Sequence, residues 1–302
     1  MRIIITGGSG LIGRELTATL AYGGHEVIVL SRNPAGVQDL PLKAKAVEWD
    51  GRTIEGWGKL ADGADAIVNL AGANIGAARW TPARKKVLLE SRQDAGRAVV
   101  EAVRAALQKP RVVVQASAVG YYGSRGNEEV TETTPAGTDF LAQLAKEWEA
   151  STAPVEELGV RRAIARTGVV LSPDGGALPR MMAPFRLFFG GPIGSGRQWL
   201  PWIHFTDEVN ALKYLMESES ASGAYNLCAP NPLTNAEFSR LLGRRMRRPC
   251  WLTVPAFALR LLYGEMADVV LKGQKQVPRR LQRTSFRFIY SAADAALKDI
   301  IF

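Results

Sequence analysis

Three glycines at spacing three, Gly7, Gly10 and Gly13, interrupt an apolar β-branched run that begins at Ile3. The chemistry such a turn offers is anion capture by the backbone. Gly7 permits the sharp turn, Gly10 lets the backbone approach a pyrophosphate, and Gly13 lets the following helix pack closely on its strand. The helix N-terminus then presents free N–H groups to the anion. With Leu11 and Ile12 at the same turn, this is a dinucleotide site. A second strand, Glu26-Val-Ile-Val-Leu, ends in Ser31-Arg32-Asn33, where a dinucleotide fold that prefers NAD keeps an acidic residue for the ribose 2′-OH. A carboxylate would repel a 2′-phosphate, whereas the Arg32 guanidinium beside the Ser31 hydroxyl can bind one through charge-assisted hydrogen bonds. The expected cofactor is therefore NADP(H). Further along, Ser117 and Tyr121, with Tyr122 next to it, are hydroxyls placed to move a proton, and His204 stands between the apolar Ile203 and Phe205.

Positioning these groups requires alternating strands and helices. Asp65-Ala-Ile-Val-Asn-Leu-Ala-Gly is apolar like a parallel strand buried on both faces, and its ending, Leu70, Ala71 and Gly72, leaves room for the adenosine-ribose side of the cofactor. Thr81 to Ala106 carries a helical apolar stripe, and Arg92 within it is expected either to reach the cofactor phosphates or to lie as a solvated helix residue. Arg111-Val-Val-Val-Gln-Ala-Ser is another buried strand, Asp139 to Leu158 a helix, and Val160 to Leu171 a further strand. Val47-Glu-Trp-Asp reads as a short third strand, Trp202-Ile-His-Phe-Thr-Asp as the start of a helix, and Ala292 to Ile300 as the last helix. The pattern predicts an α/β fold with a Rossmann-type doubly wound parallel sheet over residues 1–171. A smaller C-terminal α+β substrate lobe follows over residues 172–302, with the chain free to cross between the two.

Composition sets the class. A chain of 302 residues that is 47% hydrophobic can bury a large core. Two cysteines, Cys228 and Cys250, cannot build a disulfide framework, and no Cys/His spacing suits a metal, so a reducing, cytoplasmic setting and no metal are expected. Met1 and Arg2 lead straight into the first strand without a signal pattern, and no apolar run has membrane-spanning length, so no membrane association is expected. The net charge of +9 favours polyanionic ligands in general. No nucleic-acid motif accompanies it, and the clusters at Arg244, Arg245, Arg247, Arg248 and at Arg279, Arg280, Arg283 read as solvated helix ends, so no nucleic-acid partner is expected.

Together, Thr6-Gly7-Gly-Ser-Gly10-Leu-Ile-Gly13, Asn69-Leu-Ala-Gly72, the Tyr-Tyr-Gly loop after Ser117 and Trp202 to Asp207 resemble the extended short-chain dehydrogenase/reductases. More narrowly, Ser117 to Gly123, Phe185 through Trp202, and Gly273-Gln-Lys-Gln-Val-Pro-Arg-Arg are similar to the "epimerase family protein" branch of the NAD(P)-dependent epimerase/dehydratase type. The resemblance implies an NADP(H)-dependent oxidoreductase or epimerase acting on a small polar molecule, with nucleotide sugars among the substrates it brings in. It also implies a Tyr-x-x-x-Lys pair, in which the ammonium one helical turn away lowers the phenol pKa for proton transfer. The matching helix reads Phe140-Leu-Ala-Gln-Leu144 or, one residue on, Leu141-Ala-Gln-Leu-Ala145, and neither register contains the pair. The family's Ser/Thr position falls on Ala118, one place from Ser117. Ser117 and Tyr121 remain as displaced proton donors, while Tyr122 matches a tyrosine that the family keeps in addition to its catalytic one, so packing is its expected role. A catalytically silent NADP(H)-binding protein with a structural or redox-sensing role is the alternative.

Overall fold

The computed structural model describes residues 1–301. β1 (Arg2–Thr6) feeds through the glycine turn into α1 (Leu11–Tyr22), followed by β2 (Glu26–Ser31), β3 (Ala44–Glu48), β4 (Ala66–Asn69), α2 (Pro82–Ala105) and β5 (Val112–Ala118). A two-residue strand β6 (Glu129–Val130), α3 (Phe140–Ala150), β7 (Arg161–Thr167) and β8 (Val169–Leu171) come next. β1, β2, β4, β5 and β7 are joined in parallel register with β3 at one edge. In these strands Ile3 and Ile5 face α1 while Ile4 faces α2, so alternate residues enter two separate apolar layers. Each buried aliphatic side chain of this kind contributes roughly 1.5–3 kcal/mol. That burial, with Thr81 capping α2 through the Arg84 N–H, sets the helix where the stripe places it.

The second portion supplies α4 (Leu178–Arg186), β9 (Trp199–Leu200), β10 (Trp202–His204), α5 (Phe205–Glu217) and β11 (Gly223–Leu227). It continues through β12 (Leu233–Thr234), α6 (Asn235–Met246), α7 (Ala256–Tyr263), α8 (Asp268–Leu271), β13 (Lys275–Gln276), α9 (Arg279–Gln282) and α10 (Ala293–Ile301). β11 returns to pair with β7, giving a seven-stranded sheet in the order β11-β7-β5-β4-β1-β2-β3. The main sheet thus takes an edge strand from beyond residue 171, and α5 packs on the same face as α1. A third apolar cluster, including Leu178, Phe185, Trp202, Phe238 and Leu297, packs apart from those two layers.

Several expectations change: the helix expected over Asp139 to Leu158 ends at Ala150, and the third strand is Ala44–Glu48. The run Val160 to Leu171 is split, because a side chain at Gly168 would stand 2.8 Å from the Pro201 carbonyl; β7 stays in the main sheet and β8 pairs with β10. Trp202–His204 is therefore a strand, and α5 begins after it, with the His204 Nδ1 accepting the Thr206 N–H as its cap. His204 is fully buried, stacked between Phe205 and Tyr290 with Asp299 at 3.3 Å, and burial holds its pKa below the ordinary value against the pull of that carboxylate.

Candidate functional site

The strand order reverses between β1 and β4, and the crevice above their carboxyl ends is where open α/β sheets bind ligands. Gly7 has φ +68, and a Cβ there would stand 2.9 Å from the Leu70 carbonyl carbon. A Cβ on Gly13 would stand 2.4 Å from the Gly7 oxygen, so both positions demand glycine. Gly10 is the N-cap of α1, and no side chain caps the helix or places an acid in its first turn. Leu11 and Ile12 open that turn, leaving it free for an anion. A groove of about 570 Å³ runs along α1, lined by Leu11, Glu15 and Ala18 of that helix, by the segment 36–41, and by Val170 and Phe205.

Below the crevice a buried polar chain fixes the strand ends. The Thr6 hydroxyl donates to Asn69 Oδ1 at 2.6 Å and accepts the Ala71 N–H at 3.2 Å; Asn69 Nδ2 donates to Gln115 Oε1 at 2.8 Å. Leu70, Ala71 and Gly72 thus leave β4 in a set path over Gly7. At the end of β2, Ser31 is buried with its Oγ accepting the Asn33 N–H, and Arg32 is exposed with no acidic partner among the described residues. A cationic side chain free of a carboxylate beside a hydroxyl fits a phosphate monoester.

Arg92 is tied to backbone carbonyls of the protein. Its Nη1 donates to the carbonyls of Leu88 and Ala73, at 2.9 and 3.1 Å, and its guanidinium lies 4.6 Å from the Trp148 ring, buried against Gly72. Burial, and then the nearby Arg84, lower its pKa to about 10. Nη1 thereby holds the loop after β4 on α2, while the buried Nε has no partner among the described residues.

Beyond β5, a tight turn over Val119–Tyr122 carries the two tyrosines. Ser117 does not open into the crevice. It is buried, and its hydroxyl donates to Glu149 Oε1 at 2.6 Å. The same carboxylate receives Arg166 in a two-point pair, Nε to Oε1 at 2.8 Å and Nη2 to Oε2 at 2.9 Å. Arg166 Nη1 donates to the Tyr122 hydroxyl at 3.0 Å, and Tyr122 donates in turn to Asn226 Oδ1 at 2.6 Å. Burial alone would lower the Arg166 pKa, but its bonds to Glu149 and Tyr122 reverse this and hold it above the ordinary value. Burial pushes the Tyr122 phenol up, so Tyr122 is a packed, protonated link in the network.

Tyr121 differs from its neighbour. It is half-buried, its hydroxyl bonds to no other described residue, and the Arg166 guanidinium stacks 3.5 Å from its ring centroid. On α3, Leu141 packs against Gly120, Leu144 and Ala145 are buried, and Lys146 is exposed, so both registers present an apolar face to the turn. Glu149 and Arg166 were absent from the sequence-based set. The available signal was Arg166 directly after the apolar Ala163-Ile-Ala165 of the strand, a charge that must find a partner once buried.

On the opposite face of β7, Thr167 donates to Glu208 Oε1 at 2.8 Å, and Glu208 Oε2 has no partner. Full burial pushes this carboxyl up from 4.5 to about 8, against the bond from Thr167. A raised carboxyl pKa stabilises the fold below the unfolded value, and that contribution is lost as pH rises through the folded value. Between pH 4.5 and about 8 the wild-type protein should therefore lose stability relative to Glu208→Gln, which carries no proton to lose. Thermal unfolding of both proteins across that window checks this; parallel curves would contradict it. Among the described residues no group of three or more His, Cys, Asp or Glu could hold a metal, and no helix is long and apolar enough to cross a membrane.

The chain is 41% identical to Epimerase family protein Mb2239 of Mycobacterium bovis, over 98% of this chain and 96% of that one. It is 40% identical to the chloroplastic epimerase family protein SDR39U1 homolog of Arabidopsis thaliana, over 100% of this chain and 87% of that one. The crystal structure of human epimerase family protein SDR39U1 (isoform 2) with NADPH superposes with a TM-score of 0.91 at 36% identity, covering 100% of this chain and 99% of that one. Residues 254–300 match a domain of unknown function, DUF1731. Residues 3–228 match the model of the NAD dependent epimerase/dehydratase family, and with these relatives over its whole length the chain belongs to that family.

Proposed function

We propose that this protein is an NADP(H)-dependent oxidoreductase that reduces a carbonyl of a small polar substrate. The observation that carries the cofactor choice is Arg32, exposed and without an acidic partner directly after the buried Ser31, at the end of β2. That the human relative was crystallised with NADPH supports the same choice. Gly7, Gly10, Leu11 and Ile12 would hold the pyrophosphate on the α1 N-terminus, Ser31 and Arg32 the 2′-phosphate, and Leu70, Ala71 and Gly72 the adenosine ribose.

When bound, NADPH supplies a hydride to the carbonyl carbon. Tyr121 donates the proton that the carbonyl oxygen takes, and recovers one from solvent through its half-exposed edge. Ser117 serves as a positioning residue through Glu149, since its own proton is committed to that carboxylate.

Arg32→Asp replaces a charge-assisted bond with repulsion, so it should weaken NADPH binding by about 10²-fold and NADH binding far less. Fluorescence titration with both nucleotides tests this. Equal losses, or none, would refute the assignment. A second reading, a silent protein that uses NADP(H) structurally or as a redox signal, draws on the lack of a Tyr-x-x-x-Lys pair in either register of α3, Phe140 with Leu144 or Leu141 with Ala145.

A further inference from the structure

The turn that carries Tyr121 is not held by the dinucleotide-binding half alone. β13, from the C-terminal region of unknown function, pairs in parallel with β6, and the Val277 N–H donates to the Val130 carbonyl at 2.9 Å. Around that short strand, two glutamines are turned inward onto the backbone of the site. Gln274 Nε2 donates to the carbonyl of Val119, the first residue of the Tyr121 turn, at 2.6 Å. Gln276 Nε2 donates to the carbonyl of Arg166 at 3.3 Å. Both side chains are buried, at 6% and 0% exposed. Next to them, the Val277 carbonyl accepts from Asn226 Nδ2 at 3.0 Å, and Asn226 is the residue that receives the Tyr122 hydroxyl. Gly273 lies so close to Trp199 that a Cβ would stand 2.0 Å from its carbonyl oxygen, so the segment is wedged against β9 and enters from one direction.

We infer that Gly273–Val277 is a clasp through which the C-terminal region completes the active site, with Gln274 as the positioning residue for the Tyr121 turn. The inference rests on the reading of Tyr121 as proton donor for what the clasp achieves, but not for the clasp itself. Four contacts reach from this segment to β6, the Tyr121 turn, β7 and Asn226, and the two side-chain donors act on carbonyls that belong to the turn and to the arginine stacked under Tyr121. A pairing of β13 with β6 would join the lobes without either glutamine. The added amides fix the angle at which Tyr121 meets a substrate, and small misplacements of a donor cost rate more than affinity.

The test uses the full chain and two variants, Gln274→Ala and Gln274→Glu, the second keeping size while removing the donor. Amide hydrogen exchange over residues 118–124 should quicken by about 5-fold or more in both variants, the loss expected of one net hydrogen bond. With 9,10-phenanthrenequinone as the carbonyl probe and NADPH as reductant, kcat should fall by about 10-fold while KM for NADPH stays at its wild-type value. Wild-type exchange at residues 118–124 in both variants would overturn the clasp. Faster exchange with unchanged kcat would overturn the positioning role. If wild-type protein leaves the quinone untouched, the donor reading fails in that arm, and the exchange arm still decides the clasp.

Discussion

Replacing Glu149 by alanine is expected to destabilise the protein by about 3–5 kcal/mol, the cost typical of leaving one partner of a buried ion pair without the other. The change strands three donors at once: Arg166 Nε and Nη2, and the Ser117 hydroxyl. Arg166 and Glu149 are both almost fully buried, so water cannot take over the lost contacts. At this chain length the midpoint of thermal unfolding should drop on the order of 10 °C. Glu149→Gln keeps the shape and one acceptor oxygen and should lose roughly half as much. The pairing of Arg166→Met with Glu149→Leu removes both charges and should recover much of the single-variant loss, because an uncompensated guanidinium and not a missing attraction is what costs. Calorimetry or denaturant melts of the four proteins test this, and a Glu149→Ala protein as stable as wild type would contradict the network described.

Tyr121→Phe carries the largest expected effect on activity, a fall of about 10²-fold to 10⁴-fold in kcat for carbonyl reduction, the range associated with a positioned general acid. The ring that stacks on Arg166 is retained in phenylalanine, so fold and nucleotide affinity should be preserved. The same substitution at Tyr122 removes a hydroxyl that links Arg166 to Asn226, and there the expected result is lost stability with a smaller change in kcat. The contrast between neighbours is the informative readout. Steady-state rates with saturating NADPH, set beside melting curves for both variants, measure it; equal effects at the two positions would mean that neither tyrosine donates the proton.

The first βαβ unit is legible because local rules decide it. Gly7 and Gly13 stand where no side chain fits, β1 and β2 are continuous β-branched runs, and Thr81 and Ala106 bracket α2 where the apolar stripe starts and stops. Contacts made over long sequence separations are not written that way. Glu149 lies on a helix and Arg166 on a strand, and the sequence shows two charges without their pairing. β11 reads as a short segment of the second portion, and only its register with β7 makes it an edge of the main sheet. Gly168 divides the strand expected over Val160 to Leu171 into β7 and β8 because of Pro201, a residue far ahead in the chain. Arg92 and Ser117 have types suited to a ligand, yet both turn toward protein partners. A strand or helix period says which face a residue occupies but not what meets it there.

The central claim, that this chain uses NADP(H) to reduce a carbonyl with Tyr121 as donor, is tested most directly by one assay. Purified protein is loaded with NADPH and challenged with a library of small carbonyl compounds and nucleotide sugars, and loss of reduced nicotinamide absorbance is followed beside the Tyr121→Phe variant. The predicted result is consumption of NADPH with at least one carbonyl compound, abolished in the variant and much slower with NADH. Binding of NADPH without consumption across the library, or consumption that the variant sustains at the wild-type rate, would contradict the account.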